Sequence, residues 1–278
     1  MRFERSFFSV RRCAGRWLVA GSCLVLAAIP GAPATHAKKY DVGGYRLSTV
    51  VKGKSGPFVV FDSGMGDSHE VWQWIWPDLA KETRVFLYDR AGLGRSGAGP
   101  KPRTSERIVT ELHELLNVVG AEGPYILVGH SFGGLNMRLF AGRYPDEVAG
   151  LVLVDATPLD YPTLEDSLRS EVEQSRLETA ISLGSITLRL ERDSVVQSAE
   201  QVREGPPLPD IPVIVVTSGR TTESARFREA WLALQDEMAD HLEADRHIVT
   251  ENASHNIHMD QPELVLQAIR EVIELAGD

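Results

Sequence analysis

The sequence predicts an α/β fold with a mostly parallel central sheet, helices on both faces of the sheet and an inserted helical cap. Three observations support this prediction. Short, almost wholly apolar runs bounded by turn residues, such as "PFVVF", "YILV" and "GLVLVD", are typical of strands buried on both faces of a parallel sheet. Segments with apolar residues at helical spacing separate these runs, as in β-α-β units. The alternation is interrupted over residues 157–208 and then resumes, which indicates an insertion.

The elements of the first half follow from these two patterns. Asp67 and Glu70 have the spacing of a capping box, so a helix is expected to begin there. Ser131 lies between glycine-rich flanks where a strand gives way to a helix. In chain order, we predict an edge strand at 45–51, strands at 57–61 and 84–89, a helix at 105–119, a strand at 125–128, a helix after Ser131 and a strand at 150–155.

The second half contains the insertion and the rest of the sheet. Residues 157–208 have an amphipathic helical pattern of leucines and isoleucines among charged residues, and we interpret them as a helical cap. Asp260 and Glu263 are spaced as another capping box, with Pro262 in the first turn. The core is expected to comprise residues 38–156 and 209–278, the latter with a strand at 211–219, a helix at 225–241, a strand at 246–250 and a helix at 262–275.

Residues 1–37 have the pattern of a secretory signal peptide. Several arginines are followed by an apolar stretch from Trp17 to Ile29 and then by small residues, with candidate cleavage sites after Ala34 and Ala37. The apolar stretch is short for a membrane span, so we expect cleavage, export to the periplasm or the exterior, and no stable membrane anchor. An uncleaved N-terminal membrane tether is the alternative. Both cysteines of the chain lie in this segment and would leave with it.

The charge of the chain limits its partners. The formal net charge is −10, and because residues 1–37 carry five Arg and one Glu, cleavage would change it to −14. Such an acidic protein is not expected to bind nucleic acid or anionic membranes, which leaves a small-molecule substrate as the expected partner. No Rossmann, P-loop or HExxH motif is present in the sequence, so no nucleotide or metal cofactor is implied. The sequence gives no indication of oligomeric state.

The segment Gly129-His130-Ser131-Phe132-Gly133 matches the G-x-S-x-G motif of a nucleophile elbow. It follows an apolar run and precedes a helix, as the motif requires. The flanking glycines have a physical reason, since a Cβ at either position would collide with the adjoining strand or helix. The alternative interpretation is a Gly-rich turn with a serine that takes no part in chemistry.

A serine hydroxyl is a weak nucleophile until a base removes its proton. His255 is the best candidate for this base, because it follows the last predicted strand and so lies at the same end of the parallel sheet as Ser131. His258 is a second candidate, and the two histidines also have the H-x-x-H spacing of a metal site. The other histidines are expected to be structural or at the surface.

Three segments together resemble the α/β-hydrolase superfamily. They are "GHSFGG" around Ser131, "YDRAGLGRSG" at 88–97 and the C-terminal "SHNIHMDQPELV", and they occur in the family's order. The resemblance covers nearly all of the mature chain and implies a Ser-His-acid triad that works by acyl transfer. It assigns dehalogenase and epoxide-hydrolase chemistry to an aspartate at the elbow, so the serine argues against both. Asp89 and Arg90 are expected to form a structural network beside the site.

The triad acid has two candidates. The resemblance places it shortly after "IPVIVVTSG", where this chain reads "RTTES" and only Glu223 supplies a carboxylate. Asp155 ends the strand after the nucleophile helix, a position from which certain lipases and haloalkane dehalogenases of the superfamily take their acid. We favour Asp155 and keep Glu223 as the alternative. A loop-capping role is the structural interpretation of Asp155.

The oxyanion hole is expected to use two backbone N–H groups. One belongs to Phe132, directly after the nucleophile. By resemblance, the second belongs to Met65 in the loop "DSGMGD", where Ser63-Gly64 stands in place of the more familiar His-Gly pair. The loop lacks the HGGG signature of one group of lipases and esterases.

The sequence as a whole predicts an exported serine hydrolase that cleaves a carboxylic ester or a related acyl bond. The leucines and isoleucines of the cap favour a substrate with an apolar acyl or alcohol part. Two alternatives stay open: a cofactor-free lyase or perhydrolase that uses the same residues, and a non-catalytic binding protein that retains the fold.

Overall fold

A computed structural model of the protein describes residues 37–162, 167, 169–220 and 224–277. Within these residues the central sheet has eight strands in the order β1-β2-β4-β3-β5-β6-β7-β8. The strands are β1 (Lys38–Asp41), β2 (Arg46–Lys52), β3 (Phe58–Asp62), β4 (Arg84–Tyr88), β5 (Tyr125–His130), β6 (Val148–Val154), β7 (Val213–Ser218) and β8 (Arg246–Thr250).

The α-helices of the described residues alternate with these strands along most of the chain. They are α1 (Trp76–Leu79), α2 (Ser105–Val119), α3 (Phe132–Arg143), α4 (Glu171–Leu183), α5 (Ile186–Arg203), α6 (Ala225–His241), α7 (Ile257–Asp260) and α8 (Pro262–Leu275). Short 3-10 helices cover His69–Trp72 and Pro145–Glu147. The predicted helices at 105–119, 225–241 and 262–275 are confirmed with their bounds.

The sheet is antiparallel only at its beginning, where β2 pairs with β1 and with β4. From β4 through β3, β5, β6 and β7 to β8, all neighbours are parallel. Every residue of β3, β5 and β7 is buried, as expected for strands covered on both faces. The carboxyl ends of six parallel strands therefore meet at one edge of the sheet, and the functional candidates lie there.

Two apolar layers cover the two faces of the sheet. One layer packs α2, α3 and α6 onto the sheet, through residues such as Leu112, Phe140 and Met238. The other packs α1 and α8 onto the opposite face, through residues such as Leu79 and Ile269. Because alternate residues of a strand point to opposite faces, the uninterrupted apolar runs in the sequence serve both layers. The predicted α/β fold with a mostly parallel sheet is confirmed.

The strand predicted at 45–51 as an edge strand corresponds to β2, which is not at the edge of the sheet. β1 pairs along β2 from Lys38 opposite Thr49 to Asp41 opposite Arg46, so β1 forms the border of the sheet instead. The segment Lys38–Asp41 is largely exposed and rich in charge, and it therefore lacks the apolar alternation that reveals a half-buried strand.

Both predicted capping boxes are wrong. The first 3-10 helix is capped by Ser68, whose hydroxyl accepts a hydrogen bond from the Glu70 N–H. Asp260 belongs to the short helix α7 and accepts hydrogen bonds from Ser254, so α8 begins after Gln261 without a side-chain cap. In both places the residue after the predicted one occupies the N-cap position. Sequence spacing alone does not resolve a displacement of one residue.

Helices α4 and α5 lie between β6 and β7, and we call them the helical insertion. Helix α4 begins with a capping box formed by Ser170 and Glu173, and none of its residues is buried. Helix α5 packs on α2 and α3 and buries Leu188, Val195 and Ala199. The insertion is therefore anchored to the rest of the molecule through α5.

The predicted signal peptide lies outside the described residues except for Ala37. Across the described ranges, no helix combines the length and the apolar character needed to cross a membrane. Cleavage, export and the alternative N-terminal tether stay predictions.

Candidate active site

Ser131 lies in a sharp turn between β5 and α3. Its backbone has φ 51° and ψ −119°, a combination that residues with a side chain seldom adopt. The Ser131 carbonyl accepts hydrogen bonds from the N–H groups of Gly134 and Thr157, and these contacts hold the turn in place. The serine therefore stands at the carboxyl edge of the sheet, in a conformation that stores strain.

The glycines of the motif are required by close packing. A Cβ at Gly129 would lie 2.7 Å from the carbonyl oxygen of Gly133, and one at Gly133 would lie 2.7 Å from the carbonyl oxygen of Ser63. Both distances are shorter than any normal carbon–oxygen contact. The expectation that side chains at these positions would collide is confirmed, and the second contact brings the loop after β3 against the first turn of α3.

Asp155 and His255 are joined by a short hydrogen bond. The distance from His255 Nδ1 to Asp155 Oδ2 is 2.6 Å. The other carboxylate oxygen, Oδ1, accepts from the Ser218 N–H at 2.9 Å and from the Trp231 indole N–H at 3.1 Å. Asp155 is buried and has a positive φ of 41°. Three donors thus hold this carboxylate in one orientation, whereas Glu223, the alternative acid, lies outside the described residues.

His255 lies beside the turn that carries Ser131. Its ring is 4.7 Å from the ring of His130, centroid to centroid, and its carbonyl accepts a hydrogen bond of 3.0 Å from His130 Nε2. The His255 side chain is 35% exposed, so it can meet a ligand from solvent. The structure records no hydrogen bond between Ser131 Oγ and the His255 ring within the described residues, a bond that in many unliganded enzymes forms only with substrate.

His258, the second candidate base, is enclosed. Its ring packs between those of Trp72 and His130, at 4.7 and 4.4 Å between centroids, and neither ring nitrogen has a hydrogen-bond partner among the residues that the structure describes. Burial lowers the pKa of His258 to about 3, with a smaller contribution from His255. Within the described ranges, no three His, Cys, Asp or Glu side chains are grouped so that they could hold a metal ion. The geometry gives His258 a packing position and leaves His255 in contact with the carboxylate.

The two residues expected to supply the oxyanion donors, Met65 and Phe132, belong to one apolar cluster. The Met65 side chain packs on the apolar cluster of Phe132, Leu135 and Val195, which sets the loop after β3 against the start of α3. In the described part of the chain, neither the Met65 N–H nor the Phe132 N–H donates a hydrogen bond to another protein group. Both amides thus keep a free donor among the described residues, as the predicted oxyanion hole requires.

The buried side chain of Arg90 binds the loop after β3. Its Nη1 donates to Asp62 Oδ1 at 2.6 Å and to the Ser63 carbonyl at 2.7 Å, and its Nη2 donates to the Gly64 carbonyl at 2.6 Å. Its remaining donors bind Glu191 of α5. The Arg90 side chain is almost completely buried, and its contacts form a network beside the site, which agrees with the predicted structural role.

Asp89 binds the 3-10 helix that follows the same loop. Its Oδ1 accepts from both the N–H and the Nδ1 of His69, at 2.9 and 2.7 Å, and its Oδ2 accepts from the Arg95 N–H. The carboxylate of Asp89 thus ties the residue after β4 to the 3-10 helix that follows the loop. Its position agrees with the predicted structural role.

Comparison with known proteins decides the family. The family model described as "alpha/beta hydrolase fold" matches residues 57–203. The Bacillus subtilis protein YqjL is 32% identical over 240 residues, a match that covers 84% of this chain and 91% of YqjL. The chain belongs to the α/β-hydrolase family. Its "YDRAGLGRSG" segment and its elbow both fall within the matched region.

Solved α/β-hydrolase structures share the architecture. The structure of E-2-(acetamidomethylene)succinate hydrolase has a TM-score of 0.61 and 22% identity, and the match covers 87% of this chain and 100% of that one. A thermophilic esterase from Thermogutta terrifontis has a TM-score of 0.60 and 21% identity, over 87% of this chain and 99% of that one. At these identities the likeness shows a common fold.

One aspartate of this α/β-hydrolase, Asp67, has a raised pKa. Asp67 is the last residue of the loop that carries Met65, and burial raises the pKa of its carboxyl to about 6. The positive charges of Arg90 and His255 oppose this increase, and Glu191 adds to it. Asp67 is therefore a carboxyl group close to the candidate site that gains most of its charge only near neutral pH.

Several residues of the site were not found from the sequence. Ser218 and Trp231 hold Asp155, and Glu191 binds Arg90. Ser218 ends β7, directly beside β6, so adjacency of the two strands was an available signal. Trp231 and Glu191 lie on amphipathic helices without any motif, and no local pattern distinguishes them from their neighbours.

The buried histidines predict a loss of stability in mild acid. Burial lowers the pKa of His130 as well as that of His258, so the unfolded chain takes up protons below pH 6.5 that the folded protein does not. The free energy of unfolding that these histidines contribute should therefore be at its full value above pH 6.5 and should decrease as the pH falls towards 3. In the variant His258→Phe, the unfolded chain has one protonation site fewer, so less stability is lost in acid. Between pH 7 and pH 4.5, urea unfolding should show wild type losing up to about 3 kcal/mol more than the variant. Identical losses would contradict the burial of a neutral His258.

Proposed function

We propose that this α/β-hydrolase is an exported serine hydrolase that cleaves a carboxylic ester through Ser131, His255 and Asp155. One observation carries the proposal: a buried carboxylate with two other donors contacts His255 Nδ1 at 2.6 Å, beside a strained serine at the carboxyl edge of the sheet. This arrangement is what activation of a serine hydroxyl requires.

Asp155 sets the tautomer of His255 in this mechanism. Since the carboxylate accepts the proton on Nδ1, the lone pair of the neutral ring lies on Nε2, the nitrogen that must act as base. The negative charge of Asp155 also stabilises the imidazolium that forms when His255 takes a proton. The Ser218 and Trp231 donors keep the carboxylate from rotating out of this orientation.

The reaction proceeds in two halves. Ser131 Oγ attacks the ester carbonyl carbon while His255 Nε2 takes its proton, and the carbonyl oxygen becomes an oxyanion bound by the Phe132 and Met65 N–H groups. The C–O bond to the alcohol then breaks, and His255 returns the proton to the leaving alcohol. Water, deprotonated by His255, attacks the acyl-enzyme in the second half, which releases the acid and regenerates Ser131.

The substrate is a small molecule with an apolar acyl or alcohol part. Apolar side chains from the oxyanion loop, from α3 and from the helical insertion lie together next to the elbow, namely those of Met65, Phe132, Leu135 and Val195. The solved structures that share this fold include an esterase and an E-2-(acetamidomethylene)succinate hydrolase, and an ester substrate is compatible with that range. In this proposal residues 157–208 act as a cap that shapes the pocket, and the acidic surface binds neither nucleic acid nor membrane.

A serine-directed fluorophosphonate tests the nucleophile. The folded protein should form one adduct, and peptide mass spectrometry should locate it at Ser131. His255→Ala should reduce the labelling rate at least about 100-fold, since general-base catalysis contributes that much. His241→Ala, a change at an exposed histidine of α6, is the matched control and should label as wild type does.

Different outcomes separate the alternatives. A labelled protein should then be assayed on esters of increasing acyl length, and release of the acid and the alcohol in equal amounts supports the proposal. Any other product would identify a lyase or a perhydrolase. Folded protein that is not labelled would reject an activated serine and favour a binding protein that retains the fold.

A further inference from the structure

Glu191 is a charged residue of helix α5 that points into the protein. Its residue exposure is 0%, although it lies in a helix whose other acidic residues include the exposed Glu200. The carboxylate accepts three hydrogen bonds: Oε1 from Arg90 Nε at 2.7 Å, and Oε2 from Arg90 Nη2 at 3.0 Å and from the Gly66 N–H at 2.8 Å. A side chain of the helical insertion thus binds the loop after β3 directly.

The contacts of Glu191 and Arg90 surround Met65. Arg90 holds the carbonyl oxygens of Ser63 and Gly64, and Glu191 holds the N–H of Gly66. The Gly64 carbonyl belongs to the same planar peptide as the Met65 N–H, and in a trans peptide the two groups point in opposite directions. Fixing the Gly64 oxygen on Arg90 therefore fixes the direction of the Met65 N–H.

Glu191 completes this arrangement in two ways. It binds two donors of Arg90 and so orients the guanidinium that carries the Ser63 and Gly64 carbonyls. It also fixes the next peptide unit through the Gly66 N–H. Both peptide units next to the Met65 Cα are then held by one buried network, in which the side chains of Arg90 and Glu191 are at most 1% exposed.

A buried ion pair of this kind is not explained by stability alone. The desolvation of two charges costs about as much as their attraction returns, so well-packed apolar residues would serve stability equally well. An oxyanion donor, in contrast, must lie within a few tenths of an ångström of its ideal position, since it acts at 2.7–3.1 Å from the developing charge. The network supplies that precision at the loop where it is needed.

We propose that Glu191 is a positioning residue of the oxyanion hole, through which the helical insertion sets the direction of the Met65 N–H. This inference rests on the proposed function. It makes helix α5 a part of the catalytic apparatus: α5 must stay docked on the loop during turnover, and substrate enters without lifting it.

The test uses two variants and one control, in the full chain. Glu191→Gln keeps the size of the side chain but places an amide NH2 against the donors of Arg90, which breaks the network. Glu191→Asp keeps the charge on Arg90 but withdraws the carboxylate from the Gly66 N–H by one methylene. Glu200→Gln changes an exposed acid on the same helix, whose contact to Arg203 is 3.7 Å long. Each protein is assayed well below its Tm, and active sites are counted with the fluorophosphonate.

The expected result is a loss in kcat without a matching change in KM. Glu191→Gln should lower kcat by about 10- to 100-fold, somewhat less than deletion of an oxyanion donor, and should change KM by less than about threefold. The inhibition constant for a phenylboronic acid should rise by the same factor as kcat falls, because the tetrahedral boronate uses the oxyanion hole and the ground-state ester does not. Glu191→Asp should show the same split at a smaller size, and Glu200→Gln should match wild type.

Other results would overturn the inference. A variant with lower Tm but unchanged kcat and boronate affinity would show that Glu191 only stabilises the fold. A change in KM alone would make Glu191 a substrate contact. If Glu191→Gln does not fold, Glu191→Asp decides by the same criteria. A wild-type protein that hydrolyses no ester would reject the proposed function itself, which is a different result from a wild-type enzyme indifferent to Glu191.

Discussion

Replacing Ser131 by alanine is expected to lower kcat on any ester substrate by about 10⁵- to 10⁶-fold, because the covalent step loses its nucleophile. The residual rate would come from the oxyanion donors and from substrate binding. The measurement is a continuous assay with a chromogenic ester, with the purified variant compared with wild type at equal concentrations of folded protein.

The strained backbone of Ser131 provides a control for folding. Alanine at φ 51° stays as strained as serine, so Ser131→Ala should keep the wild-type free energy of unfolding within about 0.5 kcal/mol. Ser131→Gly should be equally inactive but more stable by roughly 1 kcal/mol, since glycine adopts a positive φ without steric cost. If Ser131→Ala kept more than a few per cent of wild-type turnover, the nucleophile would have to be another residue.

Asp155→Asn should have the second largest effect, a decrease in kcat of about 10⁴-fold. An asparagine can still accept from Ser218 and Trp231 through its oxygen, so the site should keep its shape. Its NH2 group would then face His255, where it can only donate. The proton of the neutral ring would move from Nδ1 to Nε2, and the nitrogen that should act as base would lose its lone pair.

Two comparisons make this result specific. Glu223→Gln should retain nearly full activity if Asp155 is the triad acid, and the opposite outcome would make Glu223 the acid. Asp245→Asn removes a carboxylate whose hydrogen bond is to the Val213 N–H at the other end of β7, and it should affect turnover by less than about threefold. Wild-type turnover in Asp155→Asn would contradict the assignment outright.

The fold could be predicted largely from local pattern. Parallel strands buried on both faces leave an uninterrupted apolar run, and α2, α6 and α8 each present one apolar stripe, so both kinds of element are visible in short windows. β1 was missed because its four residues are mostly exposed, and α7 was missed because it has only four. The capping boxes failed because a residue next to the predicted cap took its place.

Candidate site residues could be predicted where the local sequence reflects the geometry of the site. Ser131 is identified by glycines that the close contacts of the turn require, and His255 by its place after the last parallel strand. Asp155 could be favoured as the acid but not separated from Glu223, because both candidates follow neighbouring strands and the contact that joins Asp155 to His255 spans 100 residues of sequence.

Glu191 was beyond sequence reasoning for a different reason. A glutamate among the charged residues of an amphipathic helix is expected at the surface, since ionised side chains are seldom buried without a partner. Its partners are Arg90, 101 residues earlier, and Gly66, 125 residues earlier. Neither residue marks the position of the other in the sequence.

These sequence separations impose an order on folding. The loop near residue 65 does not gain its hydrogen bond to Glu191 until α5 has been made and docked, and His255 does not reach Asp155 until the segment after β8 has joined the sheet. Closure of such long loops is slow in folding and comes at an entropic cost. A chain still emerging from the ribosome therefore has no assembled candidate site. If the proposed esterase activity is measured during refolding, its recovery should follow these long-range contacts rather than the formation of the sheet.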